Sequence, residues 1–228
     1  MFQKIKVLSF DLDDTLWPCL PTILKAEQAL YRWLSDHVPD VTQKYSMQQL
    51  REKRRVLLDA TPELSHNLTK LRLHSFERLA DEFGIRNDWI ESAFDIFYEA
   101  RQDVTLFDDV QPVLDNLCNS YSLVSLTNGN ANTIKTGVDH WFDFSLNSEM
   151  IGKMKSEPDI YQQVQKLTNV QACQMVHIGD DPVNDISGAK LAGALAIRLN
   201  RDNKPWNLDS CEPDATIASL YELPALLR

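Results

Sequence analysis

The hydrophobic residues of this chain change their spacing twice. Ile5 to Leu12 form a short, largely apolar and β-branched run that ends in acids, the pattern of a buried strand delivering carboxylates at its C-terminal end. From Pro21 to about Arg101 the apolar positions recur at helical spacing instead: Ile23, Leu24, Leu30, Trp33 and Leu34, then Leu68, Leu71, Phe76, Leu79 and Phe83, then Ile90, Phe94, Phe97 and Tyr98. A stretch of roughly 80 residues without a strand signal predicts a separate all-helical unit. After Phe107, strand-like runs return at Ser122–Leu126, Phe142–Leu146, Gln174–Ile178 and Ala194–Leu199. Helical stretches separate them at Val110–Asn119, Ala131–Asp139, Pro158–Thr168 and Asp185–Ala192. This alternation predicts the α/β class, a doubly wound parallel sheet with helices on both faces. A lone first strand cannot bury both faces against helices, so it belongs to the later sheet. The expected organisation is residues 1–16 and 103–228 in one domain, with 17–102 inserted as a helical domain.

Composition narrows the function classes. The 228 residues are 43% hydrophobic and 25% charged, ordinary for a globular protein. Their net charge of −10 opposes a polyphosphate backbone, so no nucleic-acid partner is expected. Lys4 and Lys6 followed so soon by Asp11 leave no signal-peptide core, and no uncharged apolar run approaches the roughly 20 residues of a membrane span. Cys19, Cys118, Cys173 and Cys211 lack CxxC spacing, which suggests neither zinc nor a disulfide framework. A cytoplasmic protein without a membrane partner is expected. With no heptad seam, a monomer is expected ahead of a weak homodimer.

The chemistry gathers at predicted strand ends. Asp11, Asp13 and Asp14 follow the first strand within four positions, and such mutually repelling acids call for a cation or a shared proton. A second acidic cluster, Asp180, Asp181 and Asp185, follows Gly179. A sharp turn at Gly179 lets Asp180 and Asp185 converge on one oxygen-rich site suited to Mg2+, with capping of the next helix the alternative for Asp185. Thr127, Asn128 and Gly129 join a strand to a helix and offer a hydroxyl, an amide and backbone N–H groups, either an anion site or an ordinary capped turn. Lys155 precedes a helix with Ser156 and Pro158 at its start, and Lys153 is its rival. Of the seven glycines, Gly129, Gly152, Gly179 and Gly188 lie near strand ends, where an open α/β sheet holds its ligand.

These residues together resemble a haloacid dehalogenase (HAD) superfamily phosphatase with a C1-type helical cap. Four motifs match in order: Asp11 to Thr15, Thr127 with Asn128, the basic Lys155, and Gly179 to Asp185. The resemblance covers essentially the whole chain and implies a Rossmann-like core with an inserted cap. It departs from the pattern at Ser156, where the family often has Pro after the motif lysine. Dehalogenases of the superfamily lack an Asp at the position of Asp13, so Asp13 implies phosphoryl transfer. The implied roles are Asp11 as nucleophile, Asp13 as general acid and base, and Thr127, Asn128 and Lys155 as phosphate ligands. Mg2+ is implied at Asp11, Asp13 through its backbone carbonyl, and Asp180, completed by Asp185 or Asp181.

The DLDDTLW run and the Thr127–Ala131 segment look most like the bacterial subgroup that dephosphorylates FMN and the ribitylaminouracil phosphate of riboflavin biosynthesis. A small phosphorylated metabolite is thus the expected partner, selected by the cap. Trp17 is placed either to stack on a planar substrate or to pack the hinge. The alternatives are a phosphomutase, a broad sugar or nucleotide phosphatase, a haloacid dehalogenase, and a non-catalytic binding domain.

Overall fold

The computed structural model describes residues 2–227. Its residues fall into two units: one runs from Cys19 to Val104, the other joins the described residues up to Pro18 with those from Thr105 onward.

The first unit is all helical: α1 (Cys19–His37), α2 (Pro39–Lys44), α3 (Met47–Ala60), α4 (Leu68–Phe83) and α5 (Ile90–Arg101). Local chemistry sets several ends. Ser46 and Gln49 form a capping box at the start of α3, Asn67 caps α4, and Gly84 closes α4 in the left-handed region at φ 61°. Ala26, Leu30 and Leu34, four residues apart on α1, bury against Phe76, Leu79 and Ala80 of α4 and Ala93 and Phe97 of α5. Helix α3 buries no side chain. Its Leu50 and Leu57 instead line a cavity of about 870 Å3 together with Leu30, Leu34, Phe76 and Leu79. Glu27 is buried in this bundle, and Arg54 and Arg72 both donate to its Oε1. Burial opposes the Glu27 charge, but the two guanidiniums outweigh it and hold the carboxyl below its ordinary range.

The second unit is a six-stranded sheet flanked by helices. In chain order it contains β1 (Val7–Phe10), α6 (Val110–Leu117), β2 (Ser122–Thr127), α7 (Thr133–Thr136), β3 (Phe144–Asn147) and α8 (Ser148–Ile151). It continues through α9 (Asp159–Thr168), β4 (Met175–Gly179), a π-helical turn at Pro182–Ser187, α10 (Gly188–Leu191), β5 (Leu195–Leu199), β6 (Ala215–Ile217) and α11 (Leu223–Leu226). The strand order is β3-β2-β1-β4-β5-β6 and every pairing is parallel. This is the Rossmann-like α/β class expected.

Every residue of β1 and of β4 is buried, as central parallel strands require. Val7, Val124, Leu126, Met175 and Ala196 join Ile160, Tyr161, Val164, Ile186 and Ala189 in one hydrophobic cluster. Parallel pairing puts all C-terminal strand ends on one edge, and β2 and β4 flank β1 where the chain order reverses, the ligand position of such sheets. The differences from expectation are local: β3 starts two residues later than its apolar run, α7 is a single turn, the helix expected over Asp185–Ala192 is replaced by the π-helical turn and α10, and α8 and β6 are additional. Among the described residues, no helix is long and apolar enough to cross a membrane.

Candidate active site

Asp11 sits immediately past β1, with its backbone N–H donating to Ile178 O at 2.9 Å and its side chain buried. The chain then curls tightly: Leu16 N donates to Leu12 O at 2.7 Å, and Asp14 N donates to Trp17 O at 2.7 Å. Asp14 adopts φ 58° in this curl, a left-handed conformation that Asp tolerates better than most residues. The curl returns Trp17 to the site. Its indole is fully buried, and Nε1 donates to Asp13 Oδ1 at 2.8 Å. A ring so enclosed has no face for a substrate, so stacking is set aside and Trp17 instead orients Asp13. Arg201 steadies the same loop, donating from Nη2 to Thr15 O at 2.9 Å while Asp109 braces its guanidinium at 2.8 and 2.9 Å.

The second acidic cluster divides its labour. Asp181, rather than Asp185, caps the π-helical turn, accepting from Val183 N at 2.8 Å and Asn184 N at 2.7 Å. Asp185 is buried and turns to the strand ends, where one oxygen each from Asp11, Asp180 and Asp185 lies within 4.8 Å of the others. Gly179 is needed here for closeness, since a Cβ would stand 2.3 Å from Asp185 Cγ.

Lys155 is the cation among these acids. It is 3% exposed, and its Nζ donates to Asp11 Oδ1 and, at 2.6 Å, to Asp185 Oδ1. Lys153 is exposed and pairs with Glu157 at 2.7 Å. Lys155's backbone is pressed onto α10: a Cβ on Gly188 would lie 1.7 Å from Lys155 O, so only glycine fits there. Asn128 fixes the other side. Its Oδ1 accepts from Lys155 N at 2.9 Å and its Nδ2 donates to Asn184 Oδ1 at 3.0 Å. The Asn128 amide thus ties two loops together. Thr127 is buried at the end of β2, where its Oγ1 accepts from Gly129 N at 2.9 Å.

The electrostatics follow from three acids sharing one lysine. Burial pushes the Asp11 carboxyl well above its ordinary value; Lys155 opposes this, while Asp185 and Asp180 reinforce it. Asp180 is pushed up to about 7, first by burial and then by Asp185 and Asp14. Burial works against the charged forms of Asp185 and Lys155 as well. Attraction prevails: Lys155 and then His177 hold the Asp185 carboxyl well below its usual range, and Asp11 and then Asp185 hold the Lys155 ammonium well above its own. The result is a cluster of hard oxygen donors with excess negative charge. A divalent cation such as Mg2+ fits that set.

Sequence reasoning missed His177, Ser9, Asn184, Arg201 and the second role of Gly188. The signal for His177 was present: it is the one titratable residue inside the apolar run of β4.

A family model for haloacid dehalogenase-like hydrolases matches residues 5–193, most of the chain, including Asp11, Asp13, Thr127, Lys155, Asp180 and Asp185. The chain belongs to the haloacid dehalogenase-like hydrolase family. Within it, the chain is 28% identical to the 5-amino-6-(5-phospho-D-ribitylamino)uracil phosphatase YigB of Escherichia coli, over 98% of this chain and 97% of that protein. It is 27% identical to a glyceraldehyde 3-phosphate phosphatase of Methanopyrus kandleri, over 98% of this chain and 97% of the relative. Among solved structures, a 2-haloacid dehalogenase from Pseudomonas syringae superposes with a TM-score of 0.90 at 36% identity, covering 98% of each chain. As a hydrolase of this family, the protein is an enzyme with curated relatives that include several phosphatases.

Proposed function

We propose that this hydrolase cleaves small phosphomonoesters through an aspartyl-phosphate on Asp11. The observation that carries this is the pairing of a buried carboxylate, Asp11, held by Lys155, with a second acid two residues on, Asp13, oriented by the Trp17 indole. A dehalogenase expels halide, which needs no proton. A phosphatase expels an alkoxide, which does, and Asp13 is the acid that supplies it.

An Asp11 carboxylate oxygen attacks phosphorus, the ester P–O bond breaks, and Asp13 gives its proton to the departing oxygen. Asp13 then takes a proton from water as that water attacks phosphorus, the P–O bond to Asp11 breaks, and inorganic phosphate leaves. Lys155, Thr127 and the backbone N–H groups beyond β2 neutralise and hold the phosphoryl oxygens, stabilising charge that grows in the transition state. Asp11, Asp180 and Asp185, with the Asp13 carbonyl, would hold Mg2+, which when bound screens the phosphoryl dianion from the attacking carboxylate. We assign the sheet unit as the catalytic core and the helical unit as the cap that discriminates among leaving groups.

The relation to the ribitylaminouracil phosphatase supports that phosphate as substrate, and the resemblance carried by the DLDDTLW run adds FMN as a candidate. A test is phosphate release from FMN, the ribitylaminouracil phosphate, pyridoxal phosphate, nucleoside monophosphates and sugar phosphates, with Mg2+ or with chelator. The expected result is Mg2+-dependent release led by a flavin-pathway ester. A second reading, haloacid dehalogenation, is favoured by the name of the Pseudomonas syringae neighbour, and halide release from 2-chloropropionate would mark it.

A further inference from the structure

Below the acids, inside the sheet, lies a polar pair that the chemistry above does not use. His177 occupies the middle of β4 with no solvent exposure, and its register partner on β1 is Ser9, equally buried. Burying an imidazole and a hydroxyl among apolar residues is unfavourable unless each finds its partners. Both do. Ser9 Oγ lies 2.9 Å from His177 Nδ1, and His177 Nε2 lies 3.1 Å from Asp185 Oδ1.

The chemistry of these partners fixes every proton. Asp185 Oδ1 already takes the Lys155 ammonium at 2.6 Å, so it faces Nε2 as an acceptor, and Nε2 carries the hydrogen and donates it. A neutral imidazole then has Nδ1 as acceptor, and the Ser9 hydroxyl donates there; Val176 O, at 3.4 Å, is the poorer alternative acceptor. The ring is also held in place sideways, with Tyr161 edge-on at a centroid distance of 5.1 Å and 77°. Tyr161 is in turn anchored by its hydroxyl, which donates to Asn184 O at 2.6 Å.

We propose that His177 is a positioning residue for the phosphoryl-transfer site, its tautomer set by Asp185 on one ring nitrogen and Ser9 on the other, acting through Asp185 on Lys155. Asp185 receives three donors from three elements: Lys155 Nζ at 2.6 Å and His177 Nε2 on Oδ1, and Asp181 N at 2.9 Å on Oδ2. With its carboxylate pinned in this way, Asp185 fixes where the Lys155 ammonium stands, and Lys155 in turn contacts Asp11. Without the imidazole donor, Asp185 loses one of its three ties, and the Lys155 ammonium bonded to Oδ1 is held less firmly. The line from Ser9 to His177, Asp185, Lys155 and Asp11 lies wholly within the sheet unit. Its consequence for turnover rests on the function proposed above.

Two measurements test it. Nitrogen-15 NMR of the histidine side chains in the intact wild-type protein reads the tautomer without any turnover. The protonated nitrogen is expected at Nε2 of His177; a proton at Nδ1 overturns the proposal. The second measurement is kinetic, on the ester that wild type hydrolyses best. His177→Leu keeps the bulk and removes the donor, and kcat is expected to fall about 10- to 100-fold with little change in KM, the usual range for a residue that supports a site ligand. His177→Gln restores an N–H and is expected to recover most of that loss. Ser9→Ala is expected to lower kcat in the wild-type background but not in His177→Leu, since both remove the same tie. A folded His177→Leu with wild-type kcat, or a Gln variant as slow as Leu at equal thermal stability, overturns the positioning role. If wild type hydrolyses no phosphomonoester, the functional reading fails, and the NMR result alone decides the tie.

Discussion

Trp17 illustrates how one side chain changes role between sequence and structure. An indole two residues beyond an acidic motif can be placed on a substrate or in a core, and spacing alone does not distinguish the two. The curl from Leu12 to Trp17 decides it by burying the ring and aiming Nε1 at Asp13. Trp17→Phe removes that donor together with part of the buried ring, and a hydrogen bond contributes about 0.5–1.5 kcal/mol, so kcat should fall about two- to tenfold with KM little changed. Steady-state kinetics on the best ester, alongside a melting curve, checks this. The two lysines give the sharper contrast. Lys155→Ala should cost roughly 100-fold or more in kcat, as losing a transition-state donor does. Lys153→Ala, at a solvent-exposed ion pair, should leave the rate within about twofold. Comparable losses from both would contradict the assignment. In the sequence these lysines differ only by two positions; burial, a property of the folded chain, separates them.

Elements explain which parts of the fold were legible. β1, β2, β4 and β5 are central, buried on both faces, and so carry apolar runs that stand out from their surroundings. β6 is three residues at the sheet edge, Ala215 to Ile217 between polar segments, and is too short to show any period. Helix α3 was equally unmarked by apolar spacing because none of its side chains is fully buried, Leu50 being only partly so, although its Ser46 and Gln49 capping box was there to be read. The turn after β4 could be anticipated only in part: its acids were visible, but which of them caps and which enters the site depends on the π-helical geometry from Pro182 to Ser187. Helix α10 carries a prediction of its own. Because a Cβ on Gly188 would stand 1.7 Å from Lys155 O, Gly188→Ala must force the two segments apart. Overpacking of this kind costs about 1–3 kcal/mol, measurable by urea denaturation, and kcat should fall with it because Lys155 moves. A fully stable and fully active Gly188→Ala would show that this contact is dispensable.

For the whole molecule, the acid cluster couples stability, pH and metal. Asp180 is pushed up to about 7, and Asp11 is raised in the same sense. A carboxyl whose folded-state pKa exceeds its unfolded value favours the fold while protonated and ceases to do so as pH rises through the folded value. These two groups therefore weaken the metal-free protein progressively from about pH 4 to beyond pH 7, and a bound divalent cation removes that loss. The gain in melting temperature on adding Mg2+ over chelator should be small near pH 5 and larger near pH 8. A gain independent of pH would place the metal elsewhere.

The central claim is that Asp11 transfers phosphoryl groups. The most direct measurement follows phosphate from phosphomonoesters and halide from 2-chloropropionate in parallel, for wild type and Asp11→Asn in Mg2+. The account predicts phosphate without halide from wild type, and neither product from a folded Asp11→Asn. Halide release by wild type without phosphate, or undiminished phosphate release by Asp11→Asn, would contradict it.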